Sequence, residues 1–333
     1  MIEDAANPES IETAARVLAA GGIVAMPTET VYGLAADAGN DAAVAQVFAA
    51  KGRPADHPLI VHVADRAAAL QFASDWPAFA DRLAAAFWPG PLTLILPRRA
   101  NVASAAAANL PTIGLRCPSH PAAQALLAAC ARAGVEGLAA PSANPFGRIS
   151  PTSAAHVAAE FGPDLLVLDG GNCEVGIEST IVDASRGAPV LLRPGQIGAA
   201  DIETAAGLPL RSRDEVESAD PAAPGSLPSH YAPRAKLRLM NAKALQTALD
   251  LIGAELDSTD ARIAIYSRAV LKSRTAQVLQ RRMPEDATAT AQQLFAVLRE
   301  FDQRGARLIW VETVPETAEW DGVRDRLERA AAA

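Results

Sequence analysis

Residues 211–235 carry four prolines and no apolar period, and they separate two stretches that each alternate short β-prone runs with helical patterns. A chain interrupted in this way is expected to fold as two α/β units. Ahead of the break, Asn7-Pro8 opens a helical pattern that Gly21-Gly22 ends, and Asp41 opens another that closes at Lys51-Gly52. Further helices are predicted at 76–87, 121–132 and around 153–161, with strands at 23–26, 59–63, 92–96, 113–116, 138–140, 165–168, 180–183 and 190–192. Beyond the break, 237–240, 242–251, 262–267, 287–303, 308–313 and a helix from Trp320 read as β-α-β-(x)-α-β-α. The expectation is an α/β domain over 1–210, with helices packed on a twisted mixed sheet. A linker over 211–235 and a smaller Rossmann-like α/β domain over 236–333 follow. Periodicity gives no strand order, and the second domain has neither GxGxxG nor GxxxxGK[ST] to support nucleotide binding there.

Composition narrows the function classes. No run reaches about 18 uninterrupted apolar residues, so no membrane span is expected. The first residues are acidic and lack the basic and apolar regions of a secretory signal, which leads to an expected cytoplasmic location. Cys117, Cys130 and Cys173 form no CxxC pair and read as reduced core thiols. The net charge of −8 is uneven: residues 234–333 hold 16 Lys+Arg against 14 Asp+Glu, leaving −10 for residues 1–233. Phosphate neutralisation by Lys and Arg supplies non-specific nucleic-acid affinity, so strong direct nucleic-acid binding is not expected. Within 1–233 the only lysine is Lys51, which marks it for a specific task.

Several polar groups stand where folding alone does not ask for them. Lys51 and Arg53 lie one residue apart between a helix and a buried run, fitting an anion site or a solvated helix terminus. Ser142, Asn144 and Ser150 sit in a Pro-punctuated loop after a strand, and Ser150-Pro151-Thr152-Ser153 can open a helix. Thr28, Glu29 and Thr30 follow an apolar strand, where open α/β sheets present ligand-binding groups. Ser179-Thr180 ends a glycine-rich connection, Arg193 ends an apolar strand, and His62 interrupts Leu59–Val63 as either a core histidine or a ligand group.

Together these segments resemble the YrdC-type threonylcarbamoyl-AMP synthase family in its two-domain form. The resemblance rests on PTETVYGL at 27–34, KGRP at 51–54, PLIVH at 58–62, WPGPLT at 88–93 and PSAN at 141–144. SPT at 150–152, ESTIVD at 178–183, LRPG at 192–195 and the linker block PGSLPSHYAP at 224–233 continue it. It implies that ATP, L-threonine and bicarbonate or CO2 give threonylcarbamoyl-AMP and pyrophosphate. The product would serve a downstream transferase complex that forms threonylcarbamoyladenosine beside the tRNA anticodon. It also implies site roles. Lys51 and Arg53 would act on the triphosphate as catalytic cations, and His57, Thr112, Ser142, Asn144, Ser150, Arg193 and the lid residue Tyr231 would join them on ATP. Thr30, His62, Arg116, Ser179 and Thr180 would hold threonine, with Arg116 on its carboxylate. Mg²⁺ would ride on the ATP phosphates without protein ligands of its own. If His62 must be neutral, activity is expected to fall below about pH 6. Hydrogenase-maturation carbamoyl transfer and a double-stranded RNA-binding module are the weaker alternatives. The first lacks its cysteine-rich zinc modules here, and the acidic first domain counts against the second.

Overall fold

Alternating side chains along short strands feed two apolar layers, and this patterning sets the architecture of the first unit. The computed structural model describes residues 1–212, 215, 229–256, 262–269, 271–273, 275 and 277–333. It divides into one unit of Met1–Phe146 with Ser150–Ser226, and a second of Leu227–Ala333 with Gly147–Ile149. Of the predicted linker, residues 213, 214 and 216–228 lie outside the described residues.

The first unit runs β1 (Ile2–Asp4), α1 (Pro8–Ala19), β2 (Val24–Met26), β3 (Gly33–Asp37), α2 (Asp41–Lys51), β4 (Ile60–His62), α3 (Arg66–Ala69), α4 (Ala78–Phe87) and β5 (Leu92–Pro97). It continues β6 (Thr112–Arg116), α5 (Pro121–Arg132), β7 (Leu138–Ala139), α6 (Ala154–Phe161), β8 (Leu166–Asp169), β9 (Thr180–Asp183), β10 (Val190–Arg193), α7 (Ala199–Ala206) and β11 (Arg211–Ser212). The strands form one mixed sheet in the order β1-β8-β2-β3-β7-β4-β6-β5-β9-β10-β11. Val24 and Met26 pack with Ile11 and Leu18 of α1 and Leu126 and Cys130 of α5. Ala25, between them in sequence, faces the other layer, where Val61, Leu94 and Leu115 meet Val44, Phe48 and Leu83. Ile60, Ile95 and Ile181 point opposite to that second layer and form a small cluster of their own with Val190 and Leu192. The same face of β4, β6 and β5 carries the polar residues described below.

Two helix ends matter to the site. The Asn7 carboxamide caps α1 by accepting from Glu9 N at 3.0 Å, one residue before Pro8. α2 closes on Gly52, whose φ of +60° lets its N–H reach Phe48 O and Ala49 O. That left-handed turn leaves Lys51 in the last helical turn and Arg53 just beyond it.

The second unit contains β12 (Lys236–Met240), α8 (Ala242–Leu256), β13 (Arg262–Ser267), β14 (Val278–Arg282), α9 (Ala287–Gln303), β15 (Ala306–Glu312) and α10 (Asp321–Ala331). Its strands are all parallel, in the order β12-β15-β13-β14. The last strand is inserted between the first two, so β12 lies at an edge and not at the centre as in dinucleotide-binding sheets. Leu245 and Leu249 of α8 pack on Ile263, Ile265 and Trp310. The unassigned element of the sequence pattern is β14.

The sequence reading did not anticipate β1, β3, β11, α3 or α7. β3 is Gly-Leu-Ala-Ala-Asp, a composition of low β propensity whose strand state comes from pairing with β2 and β7.

Tyr32 joins the loops that this sheet presents. Its N–H donates to Pro151 O at 2.9 Å, its carbonyl accepts from Ala143 N at 2.8 Å, and its hydroxyl donates to Gly171 O at 2.7 Å while accepting from Gly170 N at 3.2 Å. Tyr32→Phe keeps the ring and removes the last two bonds together with the hydroxyl's bond to Asp169 Oδ1 at 3.4 Å. It is expected to lower unfolding free energy by about 1–3 kcal/mol, read from the denaturant midpoint, with faster amide exchange at Gly170.

Candidate functional site

The K-x-R and S-x-N segments are joined by a buried ammonium. Lys51 Nζ donates to the carbonyl oxygens of Ser142 and Asn144, and Phe146 N donates back to Lys51 O at 2.8 Å. Lys51 is 3% exposed. Burial, and secondarily the charge of Arg53, hold its pKa well below the usual lysine value, while Glu178 and Glu160 oppose that shift. Arg53 donates to His57 O at 3.2 Å and Pro58 O at 3.0 Å, and its guanidinium lies 5.4 Å from the Phe146 ring centroid. The half-buried His57 ring meets Phe146 edge-on at 5.5 Å.

Ser142 bridges to Gly33, and Asn144 Nδ2 donates to Pro145 O at 2.8 Å. Ser150 Oγ donates to Glu178 Oε1, a buried carboxylate that the sequence reading passed over. The predicted helix after Ser150 is α6, capped by Ser153 Oγ accepting from His156 N at 3.3 Å.

Across β4, β6 and β5, His62 pairs with Arg116 and Arg116 with Thr93, placing the three side by side on one sheet face. Gly114 and the half-buried Thr112 precede Arg116 on that face at every second residue. Thr93 Oγ1 lies 2.8 Å from Ser179 Oγ, and Arg193 reaches Ser179 through Nη2 to Oγ at 3.1 Å and Nε to O at 3.0 Å. Thr180 turns away. Its hydroxyl donates to Ile197 O and accepts from Ile197 N, each at 3.2 Å, which corrects its expected place beside the amino acid. The physical reason is position: Thr180 opens β9 and its hydroxyl is taken by the Ile197 main chain, while Ser179 lies in the connection ahead of the strand.

Arg116 is already partnered. Nη1 donates to Thr30 Oγ1 at 2.7 Å, Nε to Gly90 O at 3.4 Å, and Nη2 stands 2.7 Å from Glu29 Oε1. Thr28 Oγ1 accepts from Thr30 N and Val31 N, each at 3.2 Å, and fixes the turn that aims both Glu29 and Thr30. Glu29, singled out with Thr28 and Thr30 among the polar groups after β2, was given no role of its own because it sits between two hydroxyl residues that each looked sufficient.

Tyr231 belongs to the second unit. It has φ +61°, its ring is 5.5 Å from Phe295, and the Arg326 guanidinium lies 5.3 Å from its centroid. Among the described residues no group of three or more His, Cys, Asp or Glu is arranged to hold a metal.

Lys51, Arg53, Arg116 and Arg193 are buried in the first unit together with the carboxylates Glu29, Glu178 and Asp183, the last of which is paired with Arg186. Fold and site define a class: a mixed α/β sheet bordered by buried cations and hydroxyls, a donor set of the kind that suits an anionic ligand. A family model described as "Telomere recombination", named for Sua5, YciO and YrdC, matches residues 16–195. A second, described as "Threonylcarbamoyl-AMP synthase, C-terminal domain", matches residues 197–332. Threonylcarbamoyl-AMP synthase of Pyrococcus abyssi is 37% identical over 326 residues, covering 96% of this chain and 93% of that protein. The Bacillus subtilis enzyme is 36% identical over 338 residues, covering 98% and 94%. The structure of P. abyssi Sua5 complexed with L-threonine matches with a TM-score of 0.86 at 36% identity, covering 98% of this chain and 95% of that one. The chain belongs to the threonylcarbamoyl-AMP synthase family, in its two-domain form.

Burial, and then the Arg116 charge, push His62 down to about 3. The imidazole is therefore neutral at pH 6, which corrects the expected acid limb there. An unfolded histidine titrates near 6.5, so between about 6.5 and 3 the unfolded chain takes a proton that the fold refuses. Stability present above about pH 6.5 is lost as pH falls toward 3. His62→Gln is expected to flatten that part of a Tm-against-pH curve. An activity limb near pH 6 would persist in the variant, having another origin.

Proposed function

We infer that the protein is a threonylcarbamoyl-AMP synthase, converting ATP, L-threonine and bicarbonate or CO2 to threonylcarbamoyl-AMP and pyrophosphate for tRNA modification. The observation that carries this reading is identity to enzymes of that name over nearly the full length of both partners. The buried cation surplus agrees with a polyphosphate substrate.

The chemistry asks for two things of the protein. Threonine's amine captures CO2 as a carbamate, whose oxygen bonds to the α-phosphorus as the bond to the departing pyrophosphate breaks. Positioning and electrostatic stabilisation supply most of the acceleration in such transfers. We assign Arg53 and Arg193 to phosphate charge, with His57, Thr112, Ser142, Asn144 and Ser150 around the nucleotide. Lys51 is a positioning residue as well as a cation, since its ammonium holds the Ser142 and Asn144 carbonyls. Thr30, His62, Arg116 and Ser179 line the threonine end.

Mg²⁺ is proposed as a companion of ATP, supplying charge neutralisation on the phosphates. Of the site's carboxylates, Glu29 is paired with Arg116 and Glu178 accepts from Ser150, which suits a metal carried by the substrate. No helix among the described residues is long and apolar enough to cross a membrane. A cytoplasmic place beside the downstream tRNA-modifying complex is part of the same proposal.

The test is pyrophosphate release with ATP, Mg²⁺ and bicarbonate, comparing threonine, serine, alanine and no amino acid. Release is expected to require threonine and to fall about 100-fold or more in Lys51→Ala, since two buried carbonyls lose their donor and the phosphates a cation. Release indifferent to threonine would overturn the reading.

A further inference from the structure

Buried polar atoms without hydrogen-bond partners are rare in folded proteins, and each asks for an explanation. Four such atoms gather at one place in the first unit: both Glu29 carboxylate oxygens, Arg116 Nη2 and His62 Nδ1. The three residues are 3%, 4% and 3% exposed, so bulk water does not answer for them. Glu29 and Arg116 neutralise one another across 2.7 Å, but that contact lacks hydrogen-bond geometry. The other guanidinium nitrogens are engaged by Thr30 Oγ1 and Gly90 O, leaving Nη2 as the donor to be answered.

The inventory has a definite sum. Two acceptors, Glu29 Oε1 and Oε2, match an ammonium group, and His62 Nδ1 is a third acceptor in the tautomer that carries its proton on Nε2. One donor, Arg116 Nη2, matches a carboxylate oxygen. His62 and Arg116 occupy paired positions on β4 and β6, and Arg116 contacts Glu29, so donor and acceptors sit at one spot. A zwitterion of the α-amino-acid type answers all four. On its arrival the internal ion pair is exchanged for two, guanidinium with ligand carboxylate and Glu29 with ligand ammonium, and the net charge of the site stays the same.

We propose that Glu29 is the residue that recognises the substrate's α-amine, selecting a zwitterionic amino acid over a simple hydroxy acid. This inference rests on the synthase reading. A purely structural Glu29, acting only to aim Arg116, predicts something different: its loss would weaken any ligand that uses Arg116, with or without an amine.

Three ligands separate these possibilities on the full-length chain, followed by ligand-observed NMR titration. L-Threonine has both charged groups, 3-hydroxybutyrate keeps the carboxylate and hydroxyl without the amine, and 1-aminopropan-2-ol keeps the amine and hydroxyl without the carboxylate. Glu29→Gln is expected to weaken threonine and 1-aminopropan-2-ol by roughly 10–100-fold, the range for a charge-assisted bond, and to leave 3-hydroxybutyrate within about twofold. Arg116→Gln should show the opposite selectivity. Equal weakening of threonine and 3-hydroxybutyrate in Glu29→Gln overturns the proposal in favour of the structural role, and unchanged threonine binding overturns it outright. Thermal melting checks the fold of each variant. Glu29→Asp, which keeps the charge on a shorter arm, gives the same selectivity pattern with smaller losses if Glu29→Gln does not fold. Wild-type protein that fails to bind threonine would overturn the synthase reading itself, and with it this one.

Discussion

The ammonium of Lys51 is the contact on which the Ser142–Asn144 end of the site depends. An isolated cation taken out of water is strongly disfavoured unless hydrogen bonds replace its hydration. Here the replacement comes from two main-chain carbonyls, those of Ser142 and Asn144. Satisfying the lysine therefore fixes the path of the very loop whose side chains are assigned to ATP. The left-handed Gly52 is what ends α2 in time for this, and Phe146 returns a bond to the Lys51 carbonyl. Arg53 then lies against the Phe146 ring. Two motifs separated by about ninety residues behave as one device built around a single buried charge.

The second constraint is electrical. Residues 1–233 carry a formal charge of −10, yet Lys51, Arg53, Arg116 and Arg193 are all buried there against three carboxylates, Glu29, Glu178 and Asp183, and Asp183 has its own partner in Arg186. The acidic surplus lies elsewhere in the unit, so the local sign favours a polyanion where the global sign does not. Glu178 and Glu29 divide the labour: Glu178 accepts from Ser150, and Glu29 compensates Arg116. A buried ion pair is weak evidence for stability. It is better explained as a pair kept for exchange with a ligand, and the unanswered hydrogen-bond capacity of Glu29 and His62 supports that view.

Much of this was legible before any coordinates. Capping residues and apolar periods located α1, α2, α5, α9 and most strands, because those signals are local. Strand order was not legible: β4 lies between β6 and β7, whose partners arrive from distant parts of the chain. β3 was hidden because its small residues are held extended by neighbours on both sides and not by their own propensity. At the site, the sequence singled out Lys51 as the lone lysine of its region, while its carbonyl partners follow only from tertiary approach. The Thr180 hydroxyl likewise meets the Ile197 main chain only through tertiary approach.

Register explains why the amino-acid end is so compact. Because His62, Arg116 and Thr93 are cross-strand partners, their side chains are held at strand spacing by the sheet's own hydrogen bonds, without any loop having to order. Glu29 is brought to Arg116 by the Thr28 turn, and Ser179 to Thr93 by the parallel pairing of β5 with β9. A rigid constellation of this kind loses little conformational freedom when a ligand arrives, so more of the interaction energy is available for discrimination. The arrangement also keeps these groups out of bulk solvent, in an interior where charge–charge interactions are stronger and water is less able to attack. For a product that is a mixed anhydride, burial of this kind would protect what is made there from hydrolysis.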